Sequence, residues 1–80
     1  MKILNRKIKL LWDFRGHDSL KIAEHHCIHL KEFSETENLG FLEINSKQFN
    51  AHYSIAFIIV DEKDMLKYRD ALKPHRGEVA

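Results

Sequence analysis

The stretch DSLKIAEHHCIHLKEFSETEN, residues 18–38, is the longest helical pattern in the chain, and the other elements are arranged around it. On a helical wheel at about 100° per residue, one arc collects apolar side chains and the opposite side carries lysine and glutamate. The apolar arc includes Leu20, Ala23, Cys27 and Leu30. The pattern predicts an amphipathic helix that lies on a sheet.

This helix carries three of the six histidines, and two of them border its apolar arc. His25 and His29 are four residues apart and Glu32 follows three later, so the three side chains are neighbours on the helix surface. Two imidazoles and a carboxylate suit zinc, which makes His25, His29 and Glu32 candidate metal ligands. The spacing is not a His-Glu-x-x-His motif and fixes no further ligand. A solvated helix edge with paired polar side chains is the alternative interpretation.

The third histidine of the helix, His26, lies inside the apolar arc. This position predicts a partly buried imidazole that is hydrogen-bonded to a strand group or water, rather than a catalytic group. Such a histidine would lower stability in acid, because protonation opposes burial.

Length and composition indicate one globular domain over residues 1–80, with residues 73–80 as a short polar tail. Hydrophobic residues make up 44% and charged residues 31%, which excludes a disordered chain. The net charge of +1 gives no indication of nucleic-acid binding.

Several features favour a cytoplasmic protein. Cys27 is the only cysteine and cannot form an internal disulfide, which is typical of a reducing compartment. No apolar run reaches the length of a membrane span. The N-terminal apolar stretch is broken by Arg6, Lys7 and Lys9, so it does not resemble a signal peptide.

Alternating and helical patterns elsewhere predict the order β-α-β-β-α. The predicted strands cover residues 3–14, 41–45 and 52–60, with a hairpin loop at 46–50 and a second helix over 62–73. A right-handed crossover leaves a gap between the first two strands that the third can fill. We therefore expect an α+β fold with a three-stranded antiparallel sheet of order 1-3-2. Both helices lie on one face, in a ferredoxin-like arrangement lacking its last strand.

The third strand is apolar on both faces, so both faces should be covered. One set of its side chains would face away from the helices and leave a wet apolar patch, which is rare on a monomer. We expect a homodimer that packs these faces together through Trp12, Tyr53, Ile55, Phe57 and Ile59. An apolar ligand, another protein, or the second helix or tail of the same chain are the alternatives.

A basic cluster provides a candidate anion site. Arg15 and His17 precede a helix N-terminus, where free backbone N–H groups favour an anion, and Arg76 lies in a similar His-Arg-Gly segment. Asp13 and Asp18 flank the first pair and would repel an anion, so an ordinary turn with a paired Arg15 is the alternative.

The sequence contains no pattern that specifies a reaction, and we assign no catalytic residue. The leading hypothesis is a homodimeric interaction or structural module. A metal-binding protein or small metal-dependent enzyme that uses the histidine helix is the second hypothesis. An anion or small-ligand sensor that uses Arg15, His17 and Arg76 is the third.

Overall fold

The computed structural model describes residues 6–80, in which six elements alternate as strand, helix, strand, strand, helix and strand. The predicted first strand began at residue 3, and its residues 3–5 lie outside the described part of the chain. The elements are β1 (Lys7–Arg15), α1 (Ser19–Thr36), β2 (Glu43–Asn50), β3 (Tyr53–Asp61), α2 (Glu62–Leu72) and β4 (Arg76–Val79).

The four strands form one antiparallel sheet in the order β2-β3-β1-β4. The predicted three-stranded sheet is therefore wrong, because β4 pairs along the side of β1 that the prediction left free. The β-α-β-β-α-β order with this sheet is the complete ferredoxin-like arrangement, not one that lacks its last strand.

The fourth strand lies in residues 73–80, which the sequence predicted as a short polar tail. All four of its residues are exposed, so no apolar pattern marks it. Main-chain pairing holds it instead: β4 is in register with residues 8–11 of β1, and the His75 N–H donates to the Leu11 carbonyl at 2.9 Å. The strand thus occupies an edge that would otherwise present unpaired backbone groups.

The second strand is longer than predicted and replaces the loop expected at residues 46–50. β2 runs through these residues to Asn50, and the turn to β3 occupies residues 51–52. Only Ile44 and Ser46 are half-buried in β2, because an edge strand needs few apolar side chains. The polar composition of residues 46–50 therefore hid a strand.

The main core lies between one face of the sheet and the two helices. Tyr68 of α2 is fully buried, and its hydroxyl oxygen lies 2.7 Å from Ser34 Oγ of α1 and 3.1 Å from the Gly40 carbonyl oxygen. This polar contact joins the two helices inside an apolar layer. In the described chain, no helix is both long and apolar enough to span a membrane. The buried core residues are Ile8, Leu10, Trp12, Leu30, Ile58, Val60 and Tyr68.

Candidate functional site

The face of the sheet opposite the helices, which we call the open face, carries a second apolar cluster. Because side chains alternate along a strand, odd-numbered residues of β1 and β3 point to this face. The cluster contains Leu11, Ile55 and Phe57, with Tyr53 and Ile59 packed against it. No helix covers it in the described chain.

The centre of the open face is nevertheless buried from solvent within a single chain. Leu11 and Ile55 are each 3% exposed and Phe57 is 9% exposed. The apolar patch that the sequence predicted to be exposed to solvent is therefore largely covered by long side chains of the same face. Of its aromatic residues, Phe49 at the end of β2 is the most accessible, at 49% exposure.

Each aromatic ring of the open face has a cation above it. Lys9 Nζ lies 4.3 Å from the centre of the Phe57 ring, and the Arg15 guanidinium carbon lies 4.2 Å from that of Tyr53. Lys47 Nζ lies 5.2 Å from the centre of the third ring, Phe49. These distances are within the range for cation–π attraction. The rings of Phe49 and Tyr53 also stack on each other, at 5.1 Å and 22°.

At one end of the open face, Asp13 is the centre of a polar network. The Tyr53 hydroxyl donates to Asp13 Oδ1 at 2.5 Å, and Arg76 donates to both carboxylate oxygens, at 3.0 and 3.2 Å. The bonds from Arg76 lower the pKa of Asp13, and the bond to Asp13 raises the pKa of Tyr53. His75 Nδ1 accepts the Asp13 backbone N–H at 2.8 Å. The network ties β4 to β1 and β3.

The three residues of the predicted anion site are only partly brought together. Arg15 and Arg76 both contact Tyr53. Arg15 lies over the ring, and Arg76 lies 3.4 Å from the hydroxyl oxygen. Arg76 is occupied by the Asp13 carboxylate. His17 instead packs edge-on against His52, with ring centres 4.6 Å apart. Of the three, Arg15 is a cation without an ion pair among residues 6–80.

The predicted metal ligands meet in pairs rather than at one centre. Nε2 of His29 lies 3.0 Å from Nε2 of His25, whereas Nδ1 of His29 lies 3.3 Å from a Glu32 oxygen. The His29 ring stands between the other two side chains, so a shared ion would require it to turn. Among residues 6–80, no group of three or more histidine, cysteine or acidic side chains is arranged to hold a metal ion.

His26 lies at the edge of the core between the rings of Trp12 and Phe14, with ring centres 4.6 and 5.6 Å away. Its Nε2 is buried without a hydrogen-bond partner in the described chain, in contrast to the partner expected from the sequence. Burial lowers the pKa of His26, and the neighbouring imidazoles of His29, His75 and His25 lower it further. The side chain is therefore held in its neutral form.

The five predicted interface residues fall on two faces. Tyr53, Ile55, Phe57 and Ile59 lie on the open face. Trp12 lies on the other face, where it is 3% exposed and donates its indole N–H to the Leu72 carbonyl at 2.9 Å. Trp12 is thus unavailable to a partner that covers the open face.

The sequence has no local motif that marks Lys9, Lys47 and Phe49 as members of a site. Lysines alternate with apolar residues in β1, but this alternation alone is typical of the solvated side of a strand. Its relation to the aromatic residues becomes apparent only from the register, which pairs Lys9 with Ile59 and Lys47 with Ile55. Strand pairing, rather than any local motif, assembles this surface.

Comparison with known proteins adds no relative: no protein-family model, no curated protein and no solved structure matches the chain. The ferredoxin-like arrangement is shared by proteins with many unrelated functions, so the fold alone does not indicate one. The function has to be argued from the side chains of the surface itself.

Proposed function

We propose that this protein is a binding module that uses the open face of its sheet to hold an extended, negatively charged partner. The observation that carries the proposal is the row of three aromatic rings, Phe49, Tyr53 and Phe57, each lying beneath a lysine or arginine. The row combines flat apolar surface with positive charge, and neither helix blocks it.

The cations of the row are available to a partner. Lys9, Arg15 and Lys47 form no ion pair within residues 6–80, and residues 1–5 contain no acidic side chain. Glu78 lies directly across from Lys9 on β4, yet Lys9 Nζ lies over the Phe57 ring and not in an ion pair with that carboxylate. A cation in this position can turn to an incoming anion without first breaking a salt bridge.

Two of the acidic side chains on the open face are already paired with cations. Asp13 is paired with Arg76, and Asp61 is paired with Lys7 at 2.7 Å. Glu43 and Glu78 also point to this face and form no ion pair within residues 6–80, so the three unpaired cations of the row outnumber the unpaired carboxylates of the face by one.

The proposal is tested by the affinity for heparin, a polyanion without rings that stack, measured by fluorescence anisotropy at low salt. The triple variant Lys9→Gln, Arg15→Gln and Lys47→Gln should lose binding. The matched control replaces Lys21, Lys31 and Lys67, three exposed helix lysines, with glutamine and changes the net charge equally. Equal loss in both variants, or no binding by the wild type, would contradict the proposal.

Self-association through the same face is a second candidate function, favoured by an apolar cluster that no helix covers. Because the centre of this cluster is already buried in one chain, a partner copy would gain most from the exposed ring of Phe49. Sedimentation velocity of the wild type and of Phe49→Lys tests this candidate. A concentration-dependent dimer lost in the variant supports it, and a monomer at every concentration excludes it.

A cytoplasmic location is also part of the proposal. Cys27 is half-buried on α1, and burial raises the pKa of its thiol, so the group stays protonated and unreactive in a reducing compartment.

A further inference from the structure

We infer that the partner of the open face is a single-stranded nucleic acid. This inference rests on the proposed function, and it adds the chemical class of the ligand. A nucleic-acid strand presents alternating anionic phosphates and flat aromatic bases, and the open face presents cations and flat aromatic rings. Proteins that bind single strands without sequence preference combine these two features.

The rings offer stacking positions at two separated places on the open face. Phe49 and Tyr53 stack on each other at the β2–β3 end of the sheet, with ring centres 5.1 Å apart. Phe57 lies four residues along β3 from Tyr53, which places it roughly 13 Å away at 3.3 Å per residue. A strand that follows β3 would thus meet aromatic surface at both ends of the row.

The cations are positioned to exchange one contact for another. In the free protein, Lys9, Arg15 and Lys47 cover the rings. When a base stacks on a ring, the flexible side chain above it moves aside and its charge becomes available to the adjacent phosphate. The three cations thereby reach the phosphates without the loss of an ion pair within residues 6–80.

The shape of the surface favours a single strand over a duplex. Four strands at about 4.8 Å place the outer two about 14 Å apart, which is wider than the roughly 12 Å major groove of B-DNA. A sheet face of this width cannot enter a duplex groove, and stacked bases inside a duplex cannot reach the rings. An unpaired strand can lie flat across the sheet with its bases turned towards it.

The negative charge of Asp13 does not oppose this arrangement. Arg76 donates to both of its oxygens, and the Tyr53 hydroxyl donates to one of them. The carboxylate holds the Tyr53 ring from its edge, which leaves the face of the ring beneath Arg15 for stacking.

The experiment measures fluorescence anisotropy of a labelled single strand of about 10 nucleotides, within the site sizes of such surfaces. A duplex of equal length and a labelled heparin fragment are measured alongside. The single strand should bind more tightly than either. The dependence of log affinity on log salt should have a slope of about −2, since each of three neutralised phosphates contributes about 0.7. The triple variant Lys9→Gln, Arg15→Gln and Lys47→Gln should flatten this slope.

Two ring variants separate stacking from charge. Phe49→Leu keeps an apolar side chain at an exposed position and should weaken binding by about 5- to 150-fold, the effect of one lost stacking contact. Tyr53→Phe keeps the ring and loses only the hydroxyl, so it should bind the strand more tightly than Phe49→Leu does. Circular dichroism checks that both variants fold.

Each other outcome overturns a defined part of the account. Equal affinity for heparin and the single strand, with Phe49→Leu unchanged, would overturn the nucleic-acid inference and leave the anion-binding face. Preference for the duplex would overturn the inference as well. Absence of binding to any polyanion would overturn both the inference and the proposed function, as would a face covered by a second copy of the chain.

Discussion

Replacing His26 with leucine is expected to remove a pH dependence of stability that the wild type shows in mild acid. The folded protein holds this imidazole neutral, because burial and three neighbouring imidazoles lower its pKa. The unfolded chain takes up a proton near pH 6.5, the ordinary value for histidine, whereas the folded chain does not. The free energy of unfolding therefore falls as the pH decreases below about 6.5, until the folded form also takes up the proton.

The size of the effect follows from the environment of the ring. The upper limit is about 1.4 kcal/mol per pH unit for one group. Because His26 is only half-buried, solvent screening reduces this limit, and we expect about 1 kcal/mol between pH 6.5 and 5. At pH 8, two opposing contributions determine the stability of His26→Leu relative to the wild type. Leucine relieves the unpaired Nε2, worth about 1–3 kcal/mol when fully buried. It also loses the ring contact with Trp12, worth about 0.5–1.5 kcal/mol.

The measurement is urea unfolding followed by circular dichroism from pH 5 to 8. Near pH 8, the free energy of unfolding of His26→Leu should be within about 1 kcal/mol of the wild-type value. As the pH decreases, the variant should become more stable relative to the wild type. His17→Asn removes an exposed imidazole in the turn between β1 and α1 and controls for the loss of one histidine. Parallel stability curves for the wild type and His26→Leu would refute the reasoning.

Three further results are expected. Tyr68→Phe should lower the free energy of unfolding by about 1–2 kcal/mol in urea unfolding, because it leaves the buried Ser34 hydroxyl without one of its partners; an unchanged stability would show that the contact between the helices is dispensable. Arg76→Ala removes the side chain that joins β4 to Asp13, so hydrogen exchange of the β4 amides should become faster while that of β3 is unchanged; equal protection of β4 in both proteins would contradict this role. Calorimetric titration with zinc should show no tight stoichiometric binding, because His29 stands between the other two donors; tight binding that His25→Ala and His29→Ala both abolish would establish a metal site instead.

The sequence predicted the amphipathic helix and the position of His26 within its apolar arc because both depend on local periodicity. The helical wheel needs only the order of residues, and α1 occupies residues 19–36 of the predicted 18–38. The two-sided apolar pattern of residues 52–60 likewise predicted a strand in the middle of the sheet, and the structure shows β3 at Tyr53–Asp61 between two neighbouring strands.

The fourth strand escaped prediction because its stability comes from other parts of the chain. Its side chains are exposed, and it contains a glycine, which is unfavourable in strands. Its contacts come from main-chain pairing with β1 and from the bonds between Arg76 and Asp13, which are 63 residues apart in sequence. A local pattern contains no information about such a distant partner.

The candidate binding surface could be predicted only in part for the same reason. The alternation within β3 placed Tyr53 and Phe57 on one face, away from the helices. Their cations come from β1, and Phe49 comes from β2 through a shift in strand register between Gln48 and Asn50. The expectation of a solvent-exposed apolar patch also left out the neighbouring lysine and arginine side chains, whose aliphatic parts cover much of the patch.

The most direct test of the binding face is a nuclear magnetic resonance titration of the isotope-labelled protein with the short single strand. The account predicts chemical-shift changes at open-face positions of β1, β2 and β3, largest around Lys9, Phe49 and Tyr53. The indole N–H of Trp12, which is bonded to Leu72 on the opposite face, should be unchanged and serves as an internal reference. Changes concentrated on α1 or α2, or no changes at saturating strand, would contradict the claim that the open face binds the partner.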